Sequence, residues 1–475
     1  MLRAYALRSL EPALRQRVLA ADQRQVMVGE LLSLPPLECG QSRPASELSE
    51  SDKARMSAMR TSRRFFLTGA SALAAAMVAG HASAQDVIGD ILKSSTRGNW
   101  DDQFDARGTD TNKVASTLPI FSQQTVAFTE QAVAQYQNIV SQGGWEQVPA
   151  TKKLQLGVDD PDVVPLRKRL MVSGDLPQSA GISTAFDSYV DSAVKRFQLR
   201  HGLPADGAMG KYTYAAMNVS AQVRLGQLQT NLQRLKEKAG TLGDRYVLVD
   251  IPGAQVEAVE NDRVVLRHTA IVGKIDRQTP IVNSKINEII VNPYWNAPVS
   301  IVRKDIIPLM RKDPNYLKDS HIRLFAPDGS EVDPMTIDWS TDDAAKYRFR
   351  QDPGSNNAMA SVKINFPSPD GVYMHDTPQQ SLFGKLMRFD SSGCVRVQNV
   401  RDLVTWILRD TPGWDRQHFE AAIKTGENTP INVVNPVPVH FLYLSAWSTA
   451  PGVVQFRDDI YALDGATELQ ISSAQ

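Results

Sequence analysis

Cys394 and His375 stand nineteen residues apart in the stretch "YMHDTPQQSLFGKLMRFDSSGCVRV". A thiol beside an imidazole can pass its proton to the ring and act as a thiolate nucleophile near neutral pH, and the imidazolium can return that proton to a leaving amine. His375 needs a partner to fix its tautomer. Asp376, the next residue, offers a carboxylate or, as the expected choice, its backbone carbonyl. Ser391-Ser392-Gly393-Cys394 reads as a tight loop. Gly393 lets the backbone come close to a substrate, and the amides of Gly393 and Cys394 would face a developing oxyanion. Arg396 would project on the same side of an extended strand as Cys394, placed to meet a carboxylate. On residue types alone, a buried inert cysteine and a structural histidine fit as well.

The rest of the composition narrows the field. The chain has 475 residues with 52 basic and 52 acidic side chains, so charge gives no argument for nucleic acid or an anionic membrane as partner. At roughly 100–200 residues per domain, two or three domains are expected. The two cysteines, Cys39 and Cys394, cannot build a zinc knuckle, and no two of the seven histidines are spaced for a helical metal site. No metal site is expected.

The N-terminal part reads as an address. Arg63-Arg64 precedes an apolar run from about Phe65 to Gly80, which ends in Ala82-Ser83-Ala84. That order of basic, apolar and small residues is a twin-arginine-like secretory signal, cleaved near Ala84, and the run is shorter than the roughly 20 residues a membrane span needs. A mature form with no transmembrane span, exported to the periplasm, is the expectation. Translation is expected to start at Met56 or Met59, leaving residues 1–58 as misassigned upstream sequence and 59–84 as the leader. Cleavage removes Cys39, and a lone thiol in an oxidising compartment is a liability unless buried or used.

Residues 85–154 read as an extension of mixed polarity, with a helix possible over 122–142. In 155–220, Val163, Leu166 and Leu170 fall at helical spacing, as do Phe186, Tyr189, Val190, Ala193, Val194 and Phe197, before the turn cluster Gly202 to Gly210. Residues 221–244 form an amphipathic linker helix carrying Leu225, Leu228, Leu232 and Leu235. From Arg245 to about 465, short runs rich in β-branched residues mark a β-rich domain, interrupted at about 303–355 by charged sequence that reads as a lid insertion. The fold class is α+β, a helical module followed by a β-rich domain.

Two resemblances sharpen this reading. "AVKRFQLRHGLPADGAMGKYTYAAMN" resembles the peptidoglycan-binding domain of bacterial wall enzymes, through Phe197-Gln198, Gly202-Leu203, Asp206-Gly207, Gly210 and Thr213. "HDTP" followed by "SSGCVRV" resembles the catalytic signature of L,D-transpeptidases with the YkuD-type fold. "VNPYWNAPVSIVRKDIIPLMRKDPNYL", "FRQDPGSNNAMASVKINFP" and the tail "VPVHFLYLSAWSTAPGVVQFRDDIYALD" are similar to its larger, lid-bearing subfamily. Ser392 stands where the commonest family motif has a histidine, and Ser368 where the family pattern carries Asn. The resemblance implies Cys394 as nucleophile, His375 as general base and acid, Asp376 as its orienting partner and Gly393 as an oxyanion donor. It places Trp295 and Tyr373 near the peptide groove, with Ser391, Ser392 and Arg396 as further substrate contacts. It also implies peptidoglycan stem peptides and glycan as partners, acylation by carbapenems, and no cofactor. The implied reaction is acyl transfer through a thioester, releasing D-alanine and forming a 3→3 cross-link. Two other readings stay open. A cysteine carboxypeptidase or endopeptidase would pass the same acyl group to water, and a non-catalytic wall-binding protein would leave the thiol unused.

Overall fold

The computed structural model describes residues 117–471. The leader, the upstream residues, Cys39 and the extension up to residue 116 lie outside the described residues.

Helix α1 (Gln123–Ser141) starts at Ser122, whose hydroxyl accepts from the Thr125 N–H and satisfies one of the orphan donors of the first turn. A three-helix module follows, built from α2 (Val163–Val172), α3 (Ser188–Arg200) and α4 (Lys211–Asn218). Leu166, Leu170, Phe186, Val190, Val194 and Phe197 are fully buried in its core. Tyr189 is a correction: despite its helical spacing it is 62% exposed, because the buried stripe of α3 runs through Val190, Ala193, Val194 and Phe197. The residues that carried the first resemblance form an internal staple. Gln198 donates to the Asp206 carboxylate, the Ala208 carbonyl and the Thr213 hydroxyl, and accepts from the Gly207 N–H.

Helix α5 (Ala221–Lys238) is more than a tether. Its apolar side packs with α1 and with a C-terminal hairpin of β14 (Ala446–Ala450) and β15 (Val453–Phe456). Gln227 and Asn231 reach from it to Ser445. The hairpin also meets the three-helix module, where Arg200 donates to the Val454 carbonyl and Arg457 to the Arg200 carbonyl. Arg200 is in turn ion-paired with Asp175 at 2.5 Å.

The main sheet has the strand order β11-β3-β12-β10-β9-β4-β13-β1-β2. Its strands are β1 (Arg245–Asp250), β2 (Gln255–Glu260), β3 (Arg263–Gly273), β4 (Val282–Val291), β9 (Val362–Asn365), β10 (Met374–His375), β11 (Phe389–Ser391), β12 (Val395–Val397) and β13 (Thr429–Leu442). The long β3 pairs with β2 as well as with β12, so the sheet closes on itself. Ile289, Val362, Ile364, Met374, Val395, Val397 and Ile431 point into one core, which the helices α7 (Val400–Leu408) and α8 (Arg416–Thr425) help to cover. Because successive strand residues face opposite ways, the alternate positions of β9, β10 and β12 lie on the other face.

Between β4 and β9 the chain builds a separate small layer. It pairs β5 (Trp295–Asn296), β6 (Ile322–Phe325), β7 (Glu331–Val332) and β8 (Arg348–Gln351) in the order β5-β8-β6-β7. A helical stretch from Val299, π-helical over Val302–Ile306, ends in α6 (Ile307–Lys312) and packs on it. Val302, Ile306, Met310, Leu324 and Phe349 give this layer its own core. Two buried amides tie its root together. Asn357 donates to the carbonyls of Pro293, Gln351 and Asp352, while Gln351 donates to those of Ser320 and Asn356. Among the described residues, no helix is long and apolar enough to cross a membrane.

Candidate active site

Strand register brings the two reactive side chains to one face. β10 and β12 run parallel, with Met374 opposite Val395 and His375 opposite Arg396. Extending that register by one residue puts Tyr373 beside Cys394, and the Val395 N–H donates to the Tyr373 carbonyl. Cys394 and His375 therefore share a face on neighbouring strands, offset by two residues, or ~6–7 Å along the strand. β9 adds Lys363 opposite His375. The opposite face of the same three strands is apolar and fully buried at Met374, Val395 and Ile364, which anchors the polar face rigidly.

His375 is 7% exposed, and its Nδ1 lies 2.5 Å from the Asp376 carbonyl oxygen. A carbonyl can only accept, so Nδ1 carries the proton and Nε2 is left with its lone pair. The Asp376 carboxylate is engaged elsewhere. It accepts from the Ser361 hydroxyl at 2.5 Å, the Thr377 N–H at 2.8 Å and the Gln380 amide at 3.2 Å. Burial, then the Arg396 and Lys363 charges, push His375 down to about 3, while the Asp376 carbonyl pulls the other way. The ring is neutral at physiological pH.

Burial also pushes the Cys394 thiol above its ordinary value. Four groups oppose that shift: the Tyr373 main-chain N–H, the Tyr373 hydroxyl, and the Lys363 and Arg396 charges. Trp295, from the inserted layer, acts on the Tyr373 hydroxyl in the opposite sense to burial. The resting centre is thus a neutral thiol beside a neutral imidazole. This corrects the expectation of a preformed thiolate–imidazolium pair, because both groups sit where desolvation disfavours charge. Tyr373→Phe removes the hydroxyl that favours the ionised sulfur. It should lower kcat/KM about tenfold and raise the thiol pKa, with an unchanged melting temperature; equal rates for the two proteins would contradict that role.

The loop before Cys394 departs from expectation in two places. The Gly393 N–H donates to the Ser391 hydroxyl at 3.2 Å, so it is occupied and does not face the substrate side as an oxyanion donor. Ser391 is 2% exposed and donates to the Cys394 carbonyl at 2.5 Å. It braces the loop from inside and is not placed as a substrate contact. Gly393 has φ +109°, and a Cβ there would stand 3.3 Å from the Gln278 carbonyl oxygen, so the close approach it permits is to a neighbouring loop. Thr279 fixes that loop, donating to the Gly393 carbonyl and accepting from the Gly273 N–H, both at 2.8 Å.

Ser392 is exposed and accepts from Arg277 at 2.9 Å. The same guanidinium forms an ion pair with Asp305 in the π-helical stretch, so the inserted layer is latched directly to the cysteine loop. Arg396 donates to Gln379 at 2.9 Å, and its Nε has no partner. Tyr373 lies beside Cys394 and Trp295 acts on Tyr373, whereas Arg348 and Arg350 sit around Phe325 and, for Arg350, Tyr294 on the inserted sheet. Lys363, Thr279 and Arg277 are site residues that motif reading missed. The signal for Lys363 was its alternation with buried Val362, Ile364 and Phe366, which marks a strand with one polar face. Among the described residues, no group of His, Cys, Asp or Glu side chains could hold a metal ion.

Fold and site together define a thiol and an imidazole on the polar face of a closed, mostly antiparallel sheet. Residues 244–433 match the model of the YkuD family, described as "L,D-transpeptidase catalytic domain", and residues 159–217 match that of the "Putative peptidoglycan binding domain". The chain thus carries a YkuD-type L,D-transpeptidase catalytic domain preceded by a peptidoglycan-binding domain. A protein of Haemophilus influenzae named "Putative L,D-transpeptidase" is 34% identical over 241 residues, covering 50% of this chain and 48% of that protein. The chain therefore spans about half the length of that relative. Among solved structures, an L,D-transpeptidase of Xylanimonas cellulosilytica is 16% identical over 62% of this chain and 99% of its own, with a TM-score of 0.18. One from Stackebrandtia nassauensis is 13% identical over 64% and 98%, with a TM-score of 0.24. Overlays this loose carry no argument, and the family assignment rests on the sequence matches.

Proposed function

We propose that this protein cross-links peptidoglycan by L,D-transpeptidation. The observation that carries the reading is the register of β10 and β12, which sets His375, with its Nδ1 fixed on the Asp376 carbonyl, on the same face as Cys394. Nε2 takes the thiol proton as sulfur attacks the carbonyl of the L-centre of diaminopimelate in a donor tetrapeptide stem. The tetrahedral oxyanion is met by the Cys394 N–H, since the Gly393 amide is already bonded. Collapse expels D-alanine, whose amine takes the proton from His375, and leaves a thioester. A side-chain amine of a second stem then attacks the thioester and gives a 3→3 cross-link. Because thiol and imidazole both rest neutral, proton transfer accompanies attack. Carbapenems would acylate the same sulfur. The twin-arginine-like leader, outside the described residues, would deliver the enzyme to the periplasm, where its substrate is.

Incubation of the mature protein with disaccharide tetrapeptides, read by mass spectrometry, tests this. Dimers lacking one D-alanine are expected. Tripeptides without dimers would replace transpeptidation by hydrolysis, and unchanged substrate would leave a non-catalytic wall-binding protein.

A further inference from the structure

Lys363 has no place in the mechanism above, yet its position ties it to the nucleophile. It stands on β9 directly opposite His375, and its Nζ lies 4.3 Å from the centroid of the Tyr373 ring. Tyr373 is the residue beside Cys394 on the neighbouring strand, and its main-chain N–H and phenol both favour the ionised sulfur. Among the described residues, Lys363 forms no ion pair within 4.0 Å. The nearest acidic group across the sheet, Glu288 on β4, is held by the Asn365 amide at 2.9 Å. A half-buried ammonium without a carboxylate is costly to keep, and on a surface strand this lysine would be free to reach water.

We infer that Lys363 is a positioning residue for the nucleophile, its ammonium on the Tyr373 ring favouring the ionised sulfur of Cys394. Two physical routes act together. The positive charge attracts a thiolate directly across a poorly solvated gap. It also draws electron density from the face of the phenol, which makes the neighbouring Tyr373 O–H dipole better able to stabilise charge on the sulfur. The other groups facing the sulfur are accounted for. His375 is neutral, Arg396 adds a second cation from β12 and is bonded to Gln379, and Trp295 of the inserted layer acts on the Tyr373 hydroxyl without bringing a charge. Glu288 opposes the effect only from the far side of Lys363. The charge of Lys363 therefore works on ionisation of the sulfur, before and independently of stem-peptide recognition.

This inference deepens the reading of Cys394 as a nucleophile, and it can be tested without any stem peptide. The rate of Cys394 alkylation by iodoacetamide is followed against pH, with Cys394→Ala as the blank. Lys363→Met should shift the profile to higher pH by about one unit and slow alkylation at neutral pH about tenfold. Lys363→Arg, which keeps the charge, should stay within about twofold of the parent. Lys363→Gln supplies the neutral variant should the methionine protein fail to fold. Superimposable profiles for the parent and a folded neutral variant would overturn the inference, as would an arginine variant as slow as the methionine one. A lysine-dependent profile in a protein that makes no cross-links would sink the proposed reaction and leave this electrostatic role standing.

Discussion

Cys394→Ala should abolish both cross-link formation and every covalent adduct, a loss of about 10⁴-fold or more in kcat/KM. The size of the effect follows from what the sulfur does. Other side chains at the site bind, orient or move a proton, and each of those contributions can be removed while a slower route persists. Removing the atom that forms the thioester removes the route. Cys394 is the free cysteine of the described residues, at the head of β12 and only partly exposed, so no neighbouring thiol can substitute there. Cys394→Ser should do little better, because a hydroxyl is far harder to ionise and this neutral, desolvated setting offers it no strong base. The measurement is product analysis with a disaccharide tetrapeptide, with circular dichroism as the control for folding. Retained dimer formation in the alanine variant would mean that the chemistry happens elsewhere.

His375→Gln is expected to lower kcat by about 10²–10⁴-fold with a small change in KM. The imidazole works through the Nε2 lone pair, held in place by Nδ1–H on the Asp376 carbonyl. Glutamine fills similar space but cannot accept and then return the proton. The pH profile gives a second signature. His375 is held down to about 3, so its base form exists throughout the range in which the fold is studied, and no limb should appear between about pH 5 and 8. Burial raises the Cys394 thiol, so the reactive form, a neutral thiol with a neutral imidazole, predominates across neutral pH and kcat/KM should stay level there. A limb inside that range would instead signal that His375 or Cys394 titrates near neutrality. It would mean that solvent reaches the centre more freely than its burial implies.

Much of this architecture was legible in the sequence, for physical reasons that differ by element. The helical stripe of Val190, Val194 and Phe197 and the alternation around β9 and β12 are periodic, and periodicity reports which face is buried. Tyr189 misled because a position one step off that stripe still fits loose helical spacing. The polarity of the Cys394 loop was also hidden. Whether a glycine amide faces substrate or a neighbouring hydroxyl depends on Ser391 turning inward, and a side-chain rotamer leaves no trace in spacing. Lys363, Thr279 and Arg277 come from segments far from the cysteine motif, and only strand order places them beside it. Asp376 shows the opposite case. Its main-chain carbonyl is the expected partner for His375 because an adjacent residue can hardly fold its own carboxylate back, and the carboxylate instead fastens Ser361, Thr377 and Gln380.

The central claim is that one sulfur takes up the acyl group of a stem peptide. Intact-mass spectrometry of the protein, acid-quenched during reaction with a tetrapeptide donor, reads this directly. We expect a mass increase equal to the donor less D-alanine, mapped by digestion to the peptide bearing Cys394. Release of D-alanine with the protein mass unchanged at every quench time, or an adduct that survives Cys394→Ala, would contradict the account.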